Sequence, residues 1–274
     1  RAAAATITRA PQVRKELESI KKELMAMAAA TFDFSKPQTD LEKINFGGGI
    51  WTAERNRLKA IDKLRALIIS NNLVLNPRLQ AEFDAIYTIA EDAFDIFASL
   101  DTQTGDVPEE THLGYGKTII DRAHSSMSLS NELLQKAIAV TNFLLTGALK
   151  EQPPLLQPSD LPQFMRIRIT LLKKALETPI AFDAARATEH DLIQAKNIAY
   201  HREKRVNLLL SFITYKNVAV DQKLIGQLKK QQEELMVLNR AIARGLSKPD
   251  IKKALDQSAA TAQTAIRVIN SLGI

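Results

Sequence analysis

A chain of 274 residues, 45% hydrophobic and 25% charged, has the composition of a folded globular protein and the length for one large domain or two small ones. It has no cysteine, which removes disulfide bridges, thiolate metal sites and a cysteine nucleophile together. The net charge of +6 is uneven: residues 1–150 hold 18 basic and 19 acidic side chains, and residues 151–274 hold 19 and 12.

No apolar run approaches the roughly 18–20 residues needed to cross a bilayer. The opening "RAAAAT" reads as the remnant of a processed targeting peptide, for an organelle, the periplasm or export, ahead of a cytosolic start.

Apolar residues recur at spacings of three and four, and no segment alternates at period two, so the predicted class is all-α with about eight helices. The first carries Val13, Leu17, Ile20, Leu24 and Met27 behind Pro11. A loop is expected over Phe32–Trp51, because it holds Gly47-Gly48-Gly49 and the only tryptophan. The second helix then runs from Thr52 with Leu58, Ile61, Leu64 and Ile68 on one side. Asn76-Pro77 caps and opens a third, which is strongly acidic: residues 76–116 set nine acids against Arg78 alone. Thr118 and Asp121 have the spacing of a capping box before a fourth helix ending at Gly147.

The stretch "LKEQPPLLQPSDLP" has four prolines in fourteen residues and cannot be helical throughout. It divides the chain into residues 1–149, a linker or crossover over 150–162, and a basic region over 163–274. Beyond it a fifth helix is expected from Asp160 to Glu177, and a sixth after a Thr188–Asp191 capping box. A seventh has the stripe Leu224, Leu228, Gln231, Leu235, Leu238 and Ile242, and the last opens at Ser247-Lys-Pro-Asp250. Short connections favour two antiparallel four-helix-bundle-like halves, with one elongated bundle as the alternative.

Gly116-Lys117-Thr118 matches the end of a phosphate-binding loop. That loop needs a glycine five residues earlier and a preceding strand; position 111 is threonine and "GDVPEETHL" is unsuited to a strand. No specific nucleotide binding is expected. The Glu-x-x-His spacing of di-iron bundles occurs once, at Glu109–His112, and there is no second copy, no His-Glu-x-x-His and no nucleophile elbow. These readings predict no catalytic residue, metal ligand or cofactor, and hence no enzyme.

Charge and aromatic residues are then the strongest signals. Phe46 and Trp51 are candidate docking anchors, and Arg202, Lys204, Arg205, Lys229 and Lys230 are candidate partner-binding cations. Heptad spacing from Leu192, Ala195 and Ala199 places Arg202 on an apolar stripe, as a bundle-end ion pair, a polar seam or a binding cleft. The first functional reading is a non-enzymatic scaffold, adaptor or subunit of a protein assembly. The alternative is an exported sensory or ligand-binding domain for a small anion. Third is a binder of nucleic acid or an acidic membrane surface, disfavoured by the absence of a nucleic-acid-binding motif.

Overall fold

The computed structural model describes residues 11–101, 115–149, 154–179, 182–243, 245 and 247–274. Among them every regular element is helical, as the periodicity predicts. The order is α1 Pro11–Ala29, α2 Asp40–Ser70, α3 Pro77–Asp101, α4 Tyr115–Thr146, a 3-10 turn Pro158–Asp160, α5 Gln163–Glu177, α6 Glu189–Tyr215, α7 Gln222–Ala243 and α8 Lys248–Ser271. Two compact units result, residues 1–152 and 153–274, and the described residues form four α-helices in each. No helix among the described residues is long and apolar enough to cross a membrane.

In the first unit α2 and α4 pack along each other, and α1 and α3 each rest on both. Leu17, Leu24, Ile61, Leu64, Phe83, Ile86, Leu134 and Leu144 are buried among these helices. Each such side chain contributes about 1.5–3 kcal/mol by leaving water. Asn76 Oδ1 accepts from the amides of Arg78 at 3.0 Å and Leu79 at 3.4 Å, so the start of α3 is capped as expected.

The expected loop over Phe32–Trp51 is corrected: α2 begins at Asp40 and runs unbroken through the three glycines. One cause is local. Thr39 and Glu42 form a reciprocal capping box, with Glu42 N donating to Thr39 Oγ1 at 3.2 Å and Thr39 N donating to Glu42 Oε2 at 3.0 Å. The other is tertiary. A Cβ at Gly47 would strike the Cγ2 methyl of Ile119 on α4, so glycine is what lets the two helices approach. Gly48 and Gly49 face open space.

Glycine in a helix interior is about 0.8–1 kcal/mol less favourable than alanine. Gly48→Ala and Gly49→Ala are therefore expected to stabilise this unit by about 0.5–1 kcal/mol each. Overpacking against buried, β-branched Ile119 should reverse the sign for Gly47→Ala, which is expected to destabilise by about 1 kcal/mol net. Urea unfolding followed by Trp51 fluorescence measures all three. Stabilisation by Gly47→Ala would show slack between α2 and α4.

Helix α4 starts at Tyr115, so Thr118 lies inside its first turn and the expected Thr118–Asp121 capping box is corrected. Gly147 takes φ 73° just after the helix, the left-handed conformation that suits glycine at a helix stop.

In the second unit α8 packs against α5, α6 and α7, and α6 also contacts α5 and α7. The Thr188–Asp191 capping box forms. Ser247 precedes α8 but its hydroxyl makes no capping bond, contrary to expectation. The proline-rich segment is also revised: from Leu156 onward it is part of this unit. Leu156 N donates to Asn217 O at 2.9 Å, and Ala219 N donates to Leu156 O at 2.8 Å. Arg166 holds the rest, donating to the carbonyls of Leu161, Pro158 and Ser159, and α5 starts at Gln163 instead of Asp160.

Helix α7 keeps Leu228, Leu235 and Ile242 of the predicted stripe, but its other three buried positions lie one residue later. Its buried positions are Ile225, Leu228, Gln232, Leu235, Asn239 and Ile242, while Leu224, Gln231 and Leu238 are half-buried. The core of this unit is therefore partly polar. Asn239 donates to Glu203 Oε2 at 2.6 Å, and Gln232 donates to Glu203 O at 2.9 Å, across the α6–α7 contact.

Candidate anion-binding site

Arg202 stands on α6 with Ala199 and Val206 one turn to either side, and all three are buried. The apolar repeat thus carries a guanidinium into the interior, where it is only 6% exposed. Nη2 donates to the carbonyl of Thr178 at 2.9 Å, and Nη1 to Ser258 Oγ at 3.4 Å. A guanidinium has five N–H donors, so three have no acceptor among the described residues. Neither acceptor carries a formal charge, and no carboxylate among the described residues is ion-paired with Arg202. Burial pushes its pKa below the ordinary guanidinium value, and like-charged Arg205 adds to the effect.

The side chain lines a cavity of about 430 Å³ between the C-terminal end of α5 and the outer face of α8. Leu176, Pro179, Phe182, Leu255 and Ile266 form apolar wall, and Glu177, Lys252 and Asp256 are the other charged groups. A second cavity of about 260 Å³ lies on the other side of Phe182, bounded by Arg186, Asp191, Gln194 and Ile198.

Several cations of the basic region have structural work. Arg205 Nη1 donates to Ala175 O at 3.2 Å and so joins Arg202 at the carbonyl end of α5. Lys196 donates to Ala243 O at the end of α7. Cations placed there satisfy orphan carbonyls and oppose the helix dipole, which has roughly half a negative charge at its C-terminus. That half charge is what holds Arg202 in place, and it leaves the guanidinium undercompensated.

The other candidates are not gathered with Arg202. Lys204 is exposed, its Nζ 5.2 Å from the Tyr200 ring centroid, and Lys229 and Lys230 are exposed on α7. Phe46 and Trp51 belong to the first unit. They are half-buried on α2 beside Ile50, Phe97, Ile119 and Met127, with Trp51 stacked on Phe94 at 6.2 Å and Arg55 5.1 Å over its ring. They are thus partly spent on internal packing.

The phosphate-loop lookalike serves packing as well. Gly116 is buried where the first turn of α4 meets the start of α2, and a Cβ there would strike Asp40 and Lys43. Asp40 places a carboxylate beside the helix end that a phosphate would otherwise approach. His112 and the Glu109–His112 spacing lie outside the described residues, among which no group of three His, Asp or Glu side chains could hold a metal ion.

The sequence reading missed a buried charge pair in the first unit. Glu54 and Arg57 on α2 are 1% and 2% exposed. Ser126 donates to Glu54 Oε2 at 3.0 Å, while the buried Oε1 has no partner. Burial pushes the Glu54 carboxyl up to about 7, against opposing effects of Ser126 and Arg57. Arg57 reaches the other way, donating to Met127 Sδ, Ser130 Oγ, Asn131 Oδ1 and the Met27 carbonyl, and so ties α2 to α4 and α1.

No protein-family model, curated protein or solved structure matches this chain.

Proposed function

We propose that the second unit is a non-catalytic ligand-binding domain whose ligand is a small anion held by Arg202. The observation that supports this reading is a buried, permanently charged side chain with no carboxylate partner, opening on a cavity. Leaving a buried cation uncompensated is expensive, so such a group normally has a counter-charge. A ligand carboxylate or phosphate supplies one, and the planar guanidinium fork binds either in two places.

Far-UV circular dichroism of the full chain during heating tests this. An anion that binds only the folded state must raise the melting temperature of the second unit with concentration, by linkage. The rise is expected for carboxylates or phosphate in wild type and should vanish in Arg202→Gln. Equal rises in both proteins would remove Arg202 from the site.

A second reading, the assembly subunit, is supported by α5. Ile167 and Leu171 lie one turn apart and are 52% and 55% exposed, an apolar ridge beside the buried face of Met165, Ile169 and Leu172. The same variant separates the two readings, because an assembly held by that ridge survives Arg202→Gln, whereas anion binding does not.

A further inference from the structure

The geometry points to a narrower ligand class: an organic monocarboxylate with an apolar body, its head on Arg202 and its body along the cavity wall. This rests on the anion-binding reading above and adds what the remaining wall dictates.

Four charged side chains line the cavity, and they are not equivalent. Lys252 is already neutralised by Asp256, with Nζ 2.6 Å from Oδ2. Glu177 and Asp256 add two carboxylates to the wall, but neither is ion-paired with Arg202. Inorganic phosphate, at about −1.5 near neutral pH, would meet one undercompensated cation and two like charges. A single carboxylate matches the one unmet charge, and its two oxygens can accept from the free donors of Arg202.

Apolar groups make up about half of the wall, alongside uncharged Thr178 and Gln263. Leu176, Pro179, Phe182, Leu255, Ala259 and Ile266 line the same cavity as Arg202, and the volume is within the range of small-molecule sites, about 300–1,000 Å³. A bare anion would leave this wall in contact with water. An aromatic or short aliphatic body would cover it, and binding strength would then scale with apolar area removed from water.

The test uses the full chain and three probes followed by isothermal titration: phenylbutanoate, its methyl ester and inorganic phosphate. Phenylbutanoate is expected to bind at least about tenfold more tightly than either of the others. Ala259→Phe, which fills the cavity from the half-buried side of α8, should weaken phenylbutanoate binding about tenfold or more. Circular dichroism checks that this variant keeps its helicity, and the acid–ester comparison in wild type needs no variant. Phosphate binding that equals or exceeds phenylbutanoate and is lost in Arg202→Gln would overturn the carboxylate class but leave anion binding standing. Ester binding equal to that of the acid would overturn the assignment of the head to Arg202. Failure of every anion to bind would overturn both readings.

Discussion

The first unit is expected to lose about 3 kcal/mol of stability between pH 5 and pH 8 because Glu54 is buried. The carboxyl has its ordinary value near 4.5 when unfolded and is pushed up to about 7 in the fold, chiefly by desolvation. Between those values the folded chain holds a proton that the unfolded chain has released. Stability must then fall with rising pH, by about 1.4 kcal/mol per unit, and level off above the folded value. This is the reverse of the usual carboxylate behaviour. Asp33 and Glu42, both held below their ordinary values by local hydrogen bonds, act in the usual sense, but in the acid range outside this window.

Urea unfolding followed by Trp51, the only tryptophan and a residue of the same unit, measures the effect. Glu54→Gln should remove the slope, since the amide does not titrate but keeps an acceptor for Ser126. A wild-type curve that is flat from pH 5 to 8, or a slope that persists in Glu54→Gln, would show that Glu54 does not control it.

The helical class was legible because apolar spacing of three and four persists through nearly every helix, and the capping signals at Asn76 and Thr188 lie where the chain must start a helix. Arg202 was legible for the same reason: its neighbours Ala199 and Val206 fix the register, and a charge on that stripe stands out. Two other parts were not read, and each has a physical cause. Three successive glycines suggest a break, because backbone entropy opposes helix there. The close contact of Gly47 with Ile119 is a tertiary fact that no local pattern contains. The Thr39–Glu42 capping box was present in the sequence and is the signal that could have moved the helix start.

Once α2 starts at Asp40, the series Ile50, Glu54, Arg57, Ile61, Leu64 has the spacing 4, 3, 4, 3, and the buried pair follows. Beginning the helix at Thr52 hid it by removing Ile50. On α7 three positions were misread by one residue, because Ile225, Gln232 and Asn239 occupy the core places given to Leu224, Gln231 and Leu238. The partners of Gln232 and Asn239 on α6 are long-range contacts and could not be seen from α7. Arg202, Lys204, Arg205, Lys229 and Lys230 were read from the basic excess as partner-binding cations. Lys196, Arg202 and Arg205 are instead spent on helix carbonyls, since a unit with long helices and short connections has several C-termini to satisfy.

Replacing each of the two buried arginines with methionine is expected to give opposite outcomes. Arg57→Met should destabilise the first unit by about 3 kcal/mol at pH 8, where Glu54 is mostly ionised. The substitution removes donors from Ser130, Asn131 and the Met27 carbonyl in one step. It also takes away the cation that lowers the Glu54 carboxyl, leaving a buried negative charge unaccompanied. At pH 5 the carboxyl is protonated and the loss should shrink, which ties the effect to charge. Arg202→Met should change the stability of the second unit by no more than about 1 kcal/mol. Its only short bond is to the carbonyl of exposed Thr178, which water can replace, and the variant relieves a buried charge that no carboxylate offsets. Methionine is flexible enough to follow the aliphatic stem of the arginine it replaces. Trp51 fluorescence in urea reports the first unit, and far-UV circular dichroism on heating reports the second. If Arg202→Met proves as damaging as Arg57→Met, Arg202 is a structural cap of α5, and the case for a bound anion loses the observation that carries it.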